Sequence, residues 1–186
     1  MKQPRYRLSA EQRDALSTAT VELPTLQETH DFGEQLASIL RAGDLLVLTG
    51  PLGAGKTALV QGIGLGLGVS DAITSPTFVI ARVHRGRLPL VHVDAYRLGS
   101  LDEVDDLDLD VDTADAVTAV EWGAGLVEQL AESRLEIALS RTETSEVRTV
   151  VLRPVGGDWA QRLSDFVNYV GDFVKGGGAS DDHSDH

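Results

Sequence analysis

The chain has 186 residues, 42% hydrophobic and 24% charged, the proportions of a soluble globular protein with one core. Sixteen basic residues against 29 acidic give a formal charge of −13, which disfavours strong direct binding to nucleic acid, and the lack of cysteine excludes disulfides and thiolate zinc sites. No apolar run approaches the ~20 residues of a membrane span, and "MKQPRYRLSAEQRDALSTA" lacks the apolar segment of a secretory signal, so a cytoplasmic protein with no membrane partner is expected.

Residues 1–20 are polar with weak periodicity and read as a loosely ordered extension; the folded domain is expected over residues 21–174. "TLQE" places Thr25 three residues before Glu28, a capping box, and Phe32, Leu36, Ile39 and Leu40 then recur at helical spacing as the buried face. "RAGD" closes that helix. "LLVLT", Leu45 to Thr49, is a short apolar run typical of a strand covered on both sides. A helix follows from Lys56 to about Leu67 with Gly68 as its cap, and its Gly62, Gly64 and Gly66, poor helix formers, suggest close packing against the sheet.

"FVIARVH" and "LPLVHVDAYRL" flank the short "RGR" as a hairpin, and "AVTAV" is another buried strand, ending at Glu121 and Trp122. Between them lies the acidic "LDEVDDLDLDVDTAD". Its Asp106, Asp108, Asp110 and Asp112 alternate as in a calcium loop, but Val111 replaces the turn glycine and Val117 stands where the bidentate Glu belongs. It is read as a solvated segment. "GAGLVEQLAE" reads as a helix, "LEIALS" and "RTVVLRPV" as a second hairpin, and "DWAQRLSDFVNYV" as an amphipathic helix with Trp159, Leu163, Phe166, Val167 and Val170 on one face. Residues 175–186, "KGGGASDDHSDH", are expected to be a disordered acidic tail. The alternation, broken by two hairpins, indicates a three-layer α/β domain with a mixed sheet flanked by helices.

The chemistry concentrates in "GPLGAGKT", which fits the phosphate-loop pattern GxxxxGK[ST]. Gly50, Gly53 and Gly55 let the backbone bend so that successive N–H groups point inward, and the helix that follows adds unpaired N–H groups and its dipole. Gly50, Pro51, Leu52, Gly53, Ala54, Gly55, Lys56, Thr57 and Ala58 form the expected anion cup. Lys56 can reach the β and γ phosphates, and the Thr57 hydroxyl can join the coordination of Mg²⁺. Pro51 lacks an N–H but occupies a variable loop position, so the cup should survive it.

A phosphate cup needs a second metal anchor and a group that positions water. Asp94 follows an alternating strand pattern, where a carboxylate of the Walker B kind would sit, and Glu121 lies at the tip of a buried strand; either can hold the metal or orient water. "ITSPTF" carries three hydroxyls, and it reads either as a switch-like segment whose threonine senses the γ-phosphate or as a plain loop. His84 and His92 lack a third ligand and are read as packed or surface residues, not a zinc site. No NKxD segment for guanine is present, which favours ATP.

In order and separation, "GDLLVLTGPLGAGKT", "SPTF", "HVDAYRL" and "VEW" resemble the TsaE family, formerly YjeE, over about Glu22 to Val155. The resemblance implies a P-loop ATPase needed to make threonylcarbamoyladenosine in tRNA, acting through the TsaB and TsaD proteins and touching tRNA only indirectly. It assigns Lys56 and Thr57 to phosphate and Mg²⁺, Asp94 and Glu121 to the acidic site, and Thr77 to the switch region, and it implies that Trp122 lies beside the site. The aspartate-rich "DEVDDLDLD" departs from the glutamate-rich helix common there. A non-catalytic nucleotide-dependent adaptor and a small-molecule kinase are the alternatives.

Overall fold

Apolar runs become strands and capped amphipathic runs become helices in the computed structural model, which describes residues 7–8, 18–74, 81–94, 112–121, 132–142 and 144–176. The strands are β1 (Arg7–Leu8), β2 (Ala19–Leu23), β3 (Leu45–Thr49), β4 (Ala81–His84), β5 (Leu90–Asp94), β6 (Val117–Glu121), β7 (Arg134–Arg141) and β8 (Arg148–Val155). The helices are α1 (Leu26–Leu36), α2 (Lys56–Gly66) and α3 (Trp159–Gly176). The strands form one sheet in the order β1-β2-β8-β7-β3-β6-β5-β4. β3 pairs parallel with both β6 and β7, and β5 parallel with β6, while β4–β5, β7–β8, β2–β8 and β1–β2 are antiparallel. The expected mixed sheet with two hairpins is therefore present. The expected helix over 123–132 falls almost wholly outside the described residues, as does most of the acidic segment.

One face of the sheet, carrying Val21, Leu23, Leu46, Leu48, Leu90, Val117, Leu135, Ile137, Val150 and Leu152, shares a core with the apolar sides of α1, α2 and α3. The alternate residues Val47, Val91, Val93 and Val120 are buried too, so the central strands are covered on both faces, as their unbroken apolar runs require. No helix among the described residues is long and apolar enough to cross a membrane.

α1 starts as its capping box dictates. The Thr25 hydroxyl accepts from the Glu28 amide at 3.1 Å and donates to the Glu28 carboxylate at 2.9 Å. Phe32 and Leu36 are buried, and Phe32 meets Phe166 of α3 edge-to-face at 5.8 Å. The glycines of α2 are close-packed, but two of the three face a helix and not the sheet. A Cβ on Gly62 would overlap the His30 carbonyl oxygen of α1, one on Gly66 would lie 2.5 Å from the Ala37 Cβ and the Glu34 oxygen, and only Gly64 faces Ile73 and Leu90. Gly33 answers from α1, where a Cβ would fall 3.2 Å from the Gly62 Cα. The two helices thus touch backbone to backbone.

At the opposite end of β3 from the glycine loop, Arg162 of α3 is buried and fully engaged. Its Nε donates to the Ile39 carbonyl at 3.1 Å, its Nη1 to Asp44 at 3.0 Å and to Asp158 at 3.3 Å, and its Nη2 to both Asp44 and Ile39. The guanidinium also lies 4.0 Å from the Trp159 ring centroid. One side chain therefore ties α3 to the turn that feeds β3.

Two stability effects are expected. Gly62→Ala gains about 1 kcal/mol of helix propensity, yet overpacking costs about 1–3 kcal/mol and backbone atoms cannot swing aside, so a net loss of about 2 kcal/mol is expected by urea unfolding. Arg162→Met strands the Asp44 carboxylate in its buried site and should cost about 3 kcal/mol by the same measurement.

Candidate functional site

β3 ends at Thr49, and the loop to α2 turns on glycines held where other residues would be strained. Gly50 has φ +146° and Gly55, the residue capping α2, has φ +108°. Space enforces the same choice. A Cβ on Gly50 would overlap the Leu139 carbonyl oxygen of β7; one on Gly55 would sit 3.1 Å from Arg148 Nε and 3.5 Å from the Thr29 methyl. The loop lies against β7, β8 and α1, closed internally by the Ala54 amide donating to the Pro51 carbonyl at 3.1 Å. In this frame the first-turn N–H groups of α2 have no intrahelical acceptor, so an anion can take them.

Lys56 opens α2 and is buried, its Nζ donating to the Gly50 carbonyl at 2.7 Å and the Pro51 carbonyl at 3.2 Å. Burial pushes its pKa below the ordinary lysine value, and the negative charge of Glu121 pulls it back up. Thr57, next along, is half-buried, and Leu52 at the loop tip is almost wholly exposed.

Two carboxylates stand beside the loop through strand register. Leu48 of β3 pairs with Glu121 of β6, and Glu121 in turn pairs with Asp94 of β5. Asp94 and Glu121 are thus neighbours at the same end of adjacent parallel strands, one half-buried and the other 4% exposed. Thr57, Asp94 and Glu121 together supply hard oxygen atoms of the kind magnesium takes. Thr77 and Trp122 lie outside the described residues.

His84 and His92 are packed, as one of their sequence readings had it, but the bond of His92 to Glu121 and the places of Arg148 and Thr29 behind the loop escaped sequence reading. His92 of β5, completely buried, forms a 2.8 Å hydrogen bond from Nε2 to Glu121 Oε1. His84 of β4 packs beyond it, ring centroids 6.4 Å apart, and burial together with the neighbouring His92 holds its pKa below the ordinary histidine value. Arg148, the first residue of β8, is buried against Gly55 with its Nη1 on the Glu146 carbonyl at 2.7 Å. Thr29 is also buried there, its hydroxyl donating to the Thr25 carbonyl at 3.1 Å. The alternation of His92 and Asp94 along one strand signalled that they share a face; nothing local signalled Arg148.

Comparison with known proteins accords with this arrangement. Residues 23–150 match the family model described as "Threonylcarbamoyl adenosine biosynthesis protein TsaE". A TsaE protein of Streptomyces coelicolor is 56% identical over 137 residues, covering 70% of this chain and 93% of that protein. The Bacillus subtilis protein of the same name is 39% identical over 132 residues, covering 70% and 82%. The crystal structure of Bacillus subtilis YdiB superposes with a TM-score of 0.70 at 29% identity, covering 83% of this chain and 97% of that one. The four motifs quoted from the sequence and these matches agree: the chain belongs to the TsaE family of tRNA threonylcarbamoyladenosine biosynthesis proteins.

Proposed function

We propose that this chain binds and hydrolyses ATP with Mg²⁺ at the Gly50–Ala58 loop, and that it does so docked on the TsaB and TsaD proteins to sustain threonylcarbamoyladenosine formation. The observation that carries the reading is the loop itself, pressed so closely against β7, β8 and α1 that Gly50 and Gly55 have no room for a Cβ, with a buried lysine at the start of α2 and two carboxylates on the adjoining strand tips. That donor set fits a magnesium triphosphate: the first-turn N–H groups of α2 and an ammonium for phosphate, hydroxyl and carboxylate oxygens for a hard cation.

ATP supplies the scissile phosphoanhydride, and its magnesium neutralises charge on the phosphates. The rest falls to the chain. The loop amides bind and orient the phosphates, and Lys56 adds a fixed positive charge whose burial strengthens its field. Thr57 and Asp94, both half-buried, offer oxygens that a metal ion can reach. Glu121, buried and within electrostatic reach of Lys56, is the carboxylate best placed to orient water and accept its proton, because few solvent molecules compete for it. An acidic chain of −13 suits contact with proteins better than with RNA.

Calorimetry with ATP and Mg²⁺, followed by hydrolysis assays with TsaB and TsaD present, tests the proposal. Gly55→Ala should abolish nucleotide binding, because the substitution strains a left-handed position at the start of α2 and crowds Arg148 behind the loop. Glu121→Gln should keep binding while hydrolysis falls by about 100-fold or more. Absence of magnesium-dependent ATP binding would refute the site. Full support of tRNA modification by a Glu121→Gln protein that no longer hydrolyses ATP would replace the catalytic role with an adaptor's.

A further inference from the structure

Glu121 is not free to choose how it faces the loop. Its backbone is fixed on both sides, by Leu48 of β3 and by Asp94 of β5, and its side chain meets the imidazole of His92 at 2.8 Å. His92 is 0% exposed and Glu121 4%, so no bulk water competes for the bond. The ring is itself immobile: His92 sits in the middle of the β5 ladder, paired with Ala119 of β6 and Arg82 of β4. The other ring nitrogen, Nδ1, has no hydrogen-bond partner among the described residues. A buried, partnerless N–H there would be costly, so in the neutral ring the proton belongs on Nε2 and Nδ1 stays bare.

We propose that His92 is a positioning residue for hydrolysis: its Nε2–H holds Glu121 Oε1, leaving Oε2 as the oxygen presented to water. This deepens the proposed function and rests on it. A carboxylate held by one oxygen loses its freedom to rotate about the terminal bond, and a general base must keep its acceptor within ≈ 2.6–3.2 Å of the proton it takes. A pure packing role would be served as well by leucine or valine, which fill the equivalent positions of the same ladder at Leu90 and Val117.

The experiment compares wild type with His92→Leu, His92→Phe, His92→Gln, Glu121→Gln and the His92→Leu/Glu121→Gln double variant, in the presence of TsaB and TsaD. His92→Leu should lower kcat by about 10- to 100-fold with KM for ATP and the calorimetric affinity within about two-fold, since the group acts through the carboxylate and not through nucleotide binding. His92→Gln, which keeps an N–H donor near the same place, should recover most of the loss. The double variant should be no slower than Glu121→Gln alone, because two residues acting as one unit are not additive. His92→Phe keeps the ring volume should the leucine variant fail to fold, and it should show the same loss of kcat. The tautomer can be read in the intact protein: ¹⁵N-histidine spectra should place the proton on Nε2 of His92.

Unchanged kcat in His92→Leu or His92→Phe, additive losses in the double variant, or a neutral ring protonated on Nδ1 would each overturn the inference while leaving ATP hydrolysis standing. A wild-type protein that neither binds nor hydrolyses ATP would fail the parent reading instead, and the two failures are told apart by that control.

Discussion

Parallel pairing of β3 with both of its neighbours is the constraint from which the site follows. In a parallel ladder all strands finish at the same edge, so the helix after β3 must begin where β6 and β7 end. That places the N-terminus of α2, with its unpaired amides, beside the Glu121 tip of β6. β5 extends the parallel set by one strand and adds Asp94 in register. On the other side β7 turns back through a hairpin, and the first residue of its return strand, Arg148, comes to rest against Gly55. Strand direction, order and register together bring these separate segments to one point.

Helix packing feeds the same place. Gly33 and Gly62 let α1 and α2 approach until backbone meets backbone, and the Thr29 methyl, one turn nearer the loop than Gly33, then fills the space behind Gly55. The glycines weaken α2 as an isolated helix by about 1 kcal/mol each, and the close crossing offsets this through contacts that larger residues would prevent. The wall behind the loop is therefore set by the same approach that holds the two helices together. Stability and site geometry are not separable in this part of the molecule.

What the sequence disclosed and what it hid divide along this line. The Thr25 capping box, the strand at Leu45–Thr49, the hairpins and the apolar face of α3 were legible because each is a local pattern of period two or 3.6 with its own punctuation. The loop was legible because glycine, lysine and threonine at fixed spacing answer a local need. The glycines of α2 were rightly read as close-packed, but of the three only Gly64 meets the sheet, and Gly62 and Gly66 were given the wrong neighbour, since the spacing says that something approaches and not which element does. The His92 bond to Glu121 spans 29 residues of chain, and Arg148 lies still further from Gly55. Such contacts depend on strand order and register, which periodicity does not carry. Thr77 and Trp122 fall outside the described residues, and their assignments rest on the motifs alone.

The polar cluster at this edge makes little sense as a source of stability. Each ion taken from water costs several kcal/mol even after relaxation, and one hydrogen bond to a charged group returns about 1.5–3 kcal/mol. Lys56 meets two carbonyls and Glu121 one imidazole nitrogen, whereas the neighbouring ladder positions Leu48, Val93, Ala119 and Val120 bury apolar groups at no such cost. Arg162 shows how the same fold treats a buried charge that serves structure: it is met by two carboxylates, a carbonyl and an aromatic face. The contrast lies in placement. Arg162 ties elements together at the far end of β3, whereas Lys56, Asp94 and Glu121 gather charge at the start of α2 and the ends of β5 and β6, beside the first-turn amides of α2, the position in which a phosphate-bearing ligand would meet them.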